Sequence, residues 1–225
     1  MIRTRSYTPT VDEEQVRLRI AEEVYNDFFC TPQELTELCI GHLYLRGKIH
    51  SADDVVLVQT ETKNPIEMVA TILPNQSLGT NPAATDNTDF EVPGIDTLRE
   101  AAAEMFSMAE IYKKWGGIHC SALLYENEIV AFKEDIGRHN AMDKVIGQAL
   151  IDNYDISKLI YLTSGRVNAE IISKAATAGL PLIVSRSIVS TIALETARRL
   201  EIGLIGRIEW EEPIVYEEAQ HRMQR

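Results

Sequence analysis

Between Glu134 and Lys144 the chain reads EDIGRHNAMDK, bringing Glu134, Asp135, Arg138, His139, Asn140, Asp143 and Lys144 into eleven residues at a strand-to-helix junction. Several chemistries fit. Arg138 can grip a phosphate with two parallel hydrogen bonds. Gly137 lets a backbone approach closely, and the N–H groups that open the following helix favour an anion. His139 and Asp143 stand four apart, the spacing of neighbours on one helix face. They read either as a general base with its orienter or as a cap with an i,i+4 contact. Asp135 and Arg138 can equally pair across the turn.

Two further junctions share this composition. Ser164, Gly165 and Arg166 follow one apolar run and open a helix; Ser185, Arg186 and Ser187 follow the next and open another. Serine and glycine there are ordinary turn and cap residues. Arginine opposes the helix macrodipole at such a position, so three arginines at three helix starts on one sheet edge point to a phosphate or pyrophosphate pocket.

The cysteines Cys30, Cys39 and Cys120 are odd in number and widely spaced, which fits neither a disulfide framework nor a zinc site and suits a reducing cytoplasm. His119–Cys120–Ser121 resembles half of a zinc deaminase site. That chemistry needs a glutamate two residues after the histidine and a C-x-x-C pair, and the chain has neither, so no metal is expected. Cys39 falls on an apolar helix face and Cys120 in a strand, where burial makes a thiol inert packing. Cys30 precedes a helix cap and reads as more exposed.

These residues need elements to position them. Residues 1–74 read as a small α+β unit: one or two strands over 17–29, then a helix over 30–49, then strands at 55–61 and 66–73. In that helix Thr31 is the expected N-cap, Pro32 the first helical residue and Glu34 the partner of a capping box. Residues 75–94, rich in Asn, Thr, Pro and Gly, read as a linker or loop. Residues 95–225 alternate helix and strand: a helix over 95–115, strands at 118–125 and 128–134, a helix over 140–153, then strand, helix, strand, helix and strand to residue 210, with a short edge strand in the tail. Apolar strands alternating with helices imply parallel strands covered on both faces. The fold class is α/β, with ligands expected beyond the carboxyl ends of the strands.

With 225 residues, 45% of them hydrophobic, the chain can bury a real core. No apolar run approaches the length of a spanning helix, and the first residues lack the apolar segment of a secretory signal. The net charge of -12 argues against general binding to nucleic acid or an anionic membrane. A small anion held by a few arginines remains compatible with it.

The runs GGIHCSALL, EDIGRHNAMDKVIGQAL, TSGRV and GLPLIVSRS, with CTPQELTELCIGHLYLRGKI near the start, resemble the formate dehydrogenase accessory sulfurtransferases, the FdhD family, over about residues 15–206. The resemblance implies a cytidine-deaminase-like three-layer α/β/α domain with a mixed sheet, a smaller N-terminal α+β domain, and a homodimer. It implies a role in maturing formate dehydrogenase: sulfur is accepted from a cysteine desulfurase as a persulfide and passed to the bis-molybdopterin guanine dinucleotide cofactor. The arginine-bearing junctions would then hold that cofactor or a GDP-like ligand through Gly137, Arg138, His139, Ser164, Gly165, Arg166, Ser185, Arg186 and Ser187. Two departures stand out. The family carries its persulfide cysteine in a C-x-x-C motif between the domains, and residues 75–94 contain no cysteine. That leaves Cys120 as the substitute carrier to consider, or a non-catalytic paralogue that binds nucleotide or cofactor as a chaperone or regulator. A Gly- and Arg-bearing segment of the family is replaced by Arg207–Glu212, RIEWEE, whose Glu209, Glu211 and Glu212 would repel a phosphate.

Overall fold

The computed structural model describes residues 10–61, 64–73, 90 and 92–216. Most of the segment 75–94 therefore lies outside the described residues. In β1 (Glu14–Ile20) Val16 and Leu18 are fully buried between exposed or half-buried neighbours, the period-two pattern of a half-covered strand. It pairs antiparallel with β2 (Glu23–Cys30) and parallel with β4 (Ile66–Ile72), which pairs antiparallel with β3 (Val55–Glu61). Helix α1 (Leu35–Leu45) covers this sheet with Leu38, Cys39 and Leu43, all buried.

The start of α1 differs from the sequence expectation. Glu34, in a left-handed conformation (φ 56°), holds the N-cap position, and no side chain caps the helix. Thr31 is committed elsewhere: its hydroxyl accepts the N–H of Ile136 at 3.2 Å and its own N–H donates to Asp135 at 3.2 Å. Glu34 reaches Lys133 at 3.0 Å instead of folding back on its own helix. Cys30, expected to be more exposed, is fully buried at the end of β2.

The second sheet runs β10 (Ile214–Val215), β9 (Gly203–Gly206), β8 (Leu182–Ser185), β7 (Ile160–Thr163), β5 (His119–Tyr125), β6 (Glu128–Asp135). The pairs β7–β8 and β8–β9 are parallel; β5 runs antiparallel to both its neighbours. Glu126 and Asn127, both at positive φ, make the tight turn from β5 to β6. Successive strand residues face opposite layers. Cys120, Ala122, Leu124, Leu162 and Val184 pack with Leu98, Ala102 and Met105 of α2 (Ile95–Met108). Leu123, Tyr161, Ile183 and Leu204 pack on the side of α4 (Arg138–Ile151), α5 (Ala169–Ala178) and α6 (Thr191–Arg199). This is the three-layer α/β/α arrangement with a mixed sheet, and the α4 side of its core is continuous with the core under the four-stranded sheet. Among the described residues no helix is long and apolar enough to cross a membrane.

Residues 95–115 form two helices where one was expected. The chain breaks at the buried Ala109, and α3 (Glu110–Trp115) begins anew. The Glu134 carboxylate accepts the N–H groups of Ile111 at 2.9 Å and Tyr112 at 2.8 Å, satisfying donors that an unbroken helix would have bonded internally.

Candidate anion site at the sheet edge

Because β5 runs antiparallel to β6 and β7, its first residue lies at the same end of the sheet as their last ones: His119 is opposite Asp135, and Ser121 is opposite Thr163. Thr163 and Ser185 are level in β7 and β8. One edge thus collects His119, the Asp135–Arg138 turn, Ser164–Arg166, Ser185–Ser187 and Arg207. This is the carboxyl edge of the parallel strands, where open α/β sheets bind ligands.

Only the first of the three junctions opens a helix directly, with Gly137 as N-cap of α4 and no side chain capping it. After β7 and β8 the chain runs on. A parallel bridge joins Val167 to Val189, and the helix caps are Asn168 for α5 and Ser190 for α6. The turn N–H groups are used within the turns. Gly165 donates to Thr163 Oγ1 at 3.1 Å, Ser187 to Ser185 Oγ at 2.9 Å and Arg186 to the Thr163 carbonyl at 3.0 Å. The Ser185 hydroxyl donates to the Gly165 carbonyl at 2.7 Å, and Ser164 Oγ accepts the Cys120 N–H at 3.0 Å. At two junctions of three, several N–H groups are therefore spent inside the turns, and the helices begin beyond them.

Those side chains converge. The stem of Arg138 lies against Gly165, where a β-carbon would stand 3.1 Å from Arg138 Cβ and 3.4 Å from His119 Nδ1. Arg138 Nε is buried with no hydrogen-bond partner among the described residues. Arg166 is exposed, and no carboxylate among the described residues pairs with it. Burial, then the charges of Arg138 and Arg166, depress the His119 pKa below its ordinary value, so the ring is neutral at pH 7. His119 Nδ1 lies 3.4 Å from Ser164 Oγ. The positive charges of Arg138 and Arg166 thus both act on a neutral imidazole, and the Arg138 stem lies on Gly165, on a protein that is acidic as a whole.

Arg186 is differently placed. Its Nε donates to Glu209 Oε2 at 2.7 Å, its Nη1 donates to Tyr112 Oη at 2.8 Å, and its guanidinium lies 4.7 Å from the Phe106 ring centre. Arg207, at positive φ, packs over Trp210 at 4.7 Å, its Nε buried and without a hydrogen-bond partner among the described residues.

The opening motif divides in two. Gly137 and Arg138 face the sheet edge, while its other charged groups tie α4 to the N-terminal unit and to α5. Asp135 pairs with Lys144 at 2.8 Å, both side chains fully buried, and accepts from Gly137 N at 2.8 Å and Asn140 at 3.1 Å. The expected alternative of an Asp135–Arg138 pair is not the one formed. Asp143 bonds His42 at 2.9 Å and Lys174 at 2.5 Å, so it does not orient His139. The His139 ring instead meets Asn168 at 3.4 Å and Glu170 at 3.5 Å, and burial lowers its pKa. Sequence reasoning missed His119 as a pocket residue and Tyr112 as a partner of Arg186. Both come to the edge by strand pairing and a helix break that no local pattern announces.

All three thiols are buried, and burial is the leading cause of their raised pKa values: up to about 12 for Cys30 and Cys39, and about 11 for Cys120. A cavity of about 370 Å³ lined by Val24, Tyr25, Lys48 and Leu73 lies on the four-stranded sheet and includes none of the edge residues.

A family profile described as FdhD/NarQ matches residues 72–224. The chain belongs to the FdhD/NarQ family. The sulfur carrier protein FdhD of Saccharolobus solfataricus is 32% identical over 216 residues, 86% of this chain and 83% of that protein. The one from Shouchella clausii is 29% identical over 225 residues, covering 89% and 84%. The Protein FdhD of Methanocaldococcus jannaschii is 31% identical over 196 residues, covering 86% and 82%. A crystal structure of a candidate formate dehydrogenase accessory protein from Desulfotalea psychrophila superposes with a TM-score of 0.79 at 23% identity, covering 94% of this chain and 89% of that one. That likeness bears on the fold alone.

Proposed function

We propose that this FdhD/NarQ chain serves formate dehydrogenase as an accessory protein. In this reading it holds a phosphate-bearing cargo, bis-molybdopterin guanine dinucleotide or a GDP-like part of it, on Arg138, Arg166 and His119. The observation that carries this is the meeting of Arg138 and His119 over Gly165 at the carboxyl edge of the sheet, within reach of the Arg166 charge, with Arg138 Nε left without a partner among the described residues. A buried donor with no acceptor is costly, and a phosphate oxygen would satisfy it. The cargo is substrate, not a resident group: these side chains bind and orient it, and the neutral imidazole supplies a hydrogen bond without adding a third positive charge.

The relatives are named sulfur carrier proteins, which supports sulfur delivery to that cofactor, but a relay on a cysteine of this chain meets an obstacle. A persulfide forms by attack of a thiolate, and each of the three thiols is buried with its pKa raised far above neutrality. Cys120, the substitute carrier suggested by its position, is fully buried in β5 against α2. Thiol burial favours cofactor holding, with formate dehydrogenase as client, over a cysteine-borne sulfur relay; the family resemblance, not the thiols, is what suggests a homodimer in the cytoplasm.

The experiment has two arms. Calorimetric titration of the purified protein with GDP is expected to show saturable binding. Intact mass measured after incubation with a cysteine desulfurase and cysteine is expected to show no +sulfur adduct. An adduct that disappears in Cys120→Ala would restore sulfur transfer, and absence of GDP binding would remove the cargo site.

A further inference from the structure

Ser164 follows β7 and extends its pairing with β5 by one residue. Its N–H donates to the Cys120 carbonyl at 3.0 Å, and its hydroxyl oxygen accepts the Cys120 N–H at 3.0 Å. The β5 backbone therefore fixes where that oxygen sits. Its other neighbour is His119 Nδ1 at 3.4 Å. The same ring nitrogen would lie 3.4 Å from a β-carbon on Gly165. The Nδ1 edge of the imidazole is thus turned toward residues 164 and 165. Nε2, on the other edge, has no hydrogen-bond partner among the described residues.

Proton accounting then settles the roles. A backbone N–H can only donate, so the Ser164 oxygen spends a lone pair on Cys120 and keeps its own proton to give. Nδ1 is the acceptor within reach. A proton on Nδ1 would leave the Ser164 hydroxyl with no acceptor among the described residues. Which nitrogen of a neutral imidazole carries the proton is set by the bond that the other one makes. With Nδ1 accepting, the proton stands on Nε2.

We propose that Ser164 is a positioning residue of the anion site: its hydroxyl donates to His119 Nδ1, fixes the ring as the Nε2–H tautomer, and so presents Nε2–H as the donor to the cargo phosphate. The proposal rests on the reading of Arg138, Arg166 and His119 as that site, and it takes Ser164 itself out of contact with the cargo. In the other tautomer a bare Nε2 lone pair would face the phosphate oxygens, acceptor against acceptor.

The test has two independent readouts. Two-bond nitrogen–proton correlation spectra of the imidazoles, recorded on the cargo-free full chain at neutral pH, report the tautomer. The native protein is expected to show His119 as the Nε2–H form alone, and Ser164→Ala a mixture. A native ring protonated on Nδ1 would overturn the proposal whether or not GDP binds. Calorimetric titration with GDP gives the second readout, each variant being melted first because Ser164→Ala also strands the Cys120 N–H. Ser164→Ala is expected to lose about fivefold in affinity, the worth of one hydrogen bond. Ser164→Thr, which keeps the hydroxyl, is expected to bind as the native protein does. Once His119 is replaced by Ala, Ser164→Ala is expected to cost nothing further. Additive losses would put Ser164 on the cargo itself and overturn the positioning role. Failure of the native protein to bind GDP would overturn the anion site, while the spectrum still decides the Ser164–His119 bond.

Discussion

The stem of Arg138 packs directly on Gly165: a β-carbon there would lie 3.1 Å from Arg138 Cβ and 3.2 Å from its Cδ. Gly165 thus sets where the guanidinium points. Gly165→Ala is expected to push the arginine aside by a few tenths of an ångström. The fold should survive, and GDP affinity should fall by about 1 kcal/mol, roughly fivefold. Calorimetry beside a melting curve separates the two effects; a protein that melts normally and binds as tightly as before would show that Arg138 is not positioned by this contact.

Helices α1 and α4 cross at two glycines. A β-carbon on Gly41 would meet the Asp143 carbonyl oxygen at 1.8 Å, and one on Gly147 would meet the Glu37 carbonyl oxygen at 1.9 Å. Neither atom can yield without moving a helix. Gly147→Ala is expected to cost about 3 kcal/mol or more, read as a lower urea midpoint with an unchanged slope.

The Lys144–Asp135 pair is wholly buried, with Lys144 also donating to the Thr31 carbonyl at 3.0 Å. Replacing both charges together could be nearly neutral, but removing one strands the other. Lys144→Met is expected to destabilise by about 3–5 kcal/mol, and Lys144→Met with Asp135→Leu by less than the single change. The double-variant cycle in urea checks this, and a double variant weaker than Lys144→Met would contradict it.

His119 gives a pH signature. Its pKa in the folded chain lies below the usual 6.5 because of burial and the two neighbouring arginines. The unfolded chain therefore binds the proton more readily. Stability contributed by the neutral ring is present above pH 6.5 and is lost as pH falls below that value toward the folded pKa. Melting temperatures at pH 7.5 and 5.5 should drop more for the native protein than for His119→Gln. His139 shifts the same way, so part of the drop persists in that variant.

The alternation of strand and helix from residue 118 onward is plain in the sequence because the strands are short apolar runs, such as Leu182–Ser185, that are buried on both faces. Arg138 and Arg166 were legible as anion-binding candidates for the same reason: the strands that aim them are easy to place. Arg186 was legible as a position but not as an occupied one, since its partner Glu209 is 23 residues away and joins it only through sheet order. The start of α1 misleads for a similar cause. Thr31 has a capping side chain, but bonds to Asp135 and Ile136, over a hundred residues on, claim it. The charged half of EDIGRHNAMDK looks catalytic in isolation, and only packing against α1 and α5 shows Asp135, Asp143 and Lys144 to be a buried clasp.

The central claim is that Arg138 and Arg166 hold the cargo phosphate together. GDP titration of the native protein, Arg138→Ala and Arg166→Ala tests it most directly. Each variant should fold and lose about tenfold or more in affinity, the cost of a charge-assisted contact. Affinities equal to the native protein in both variants would contradict it.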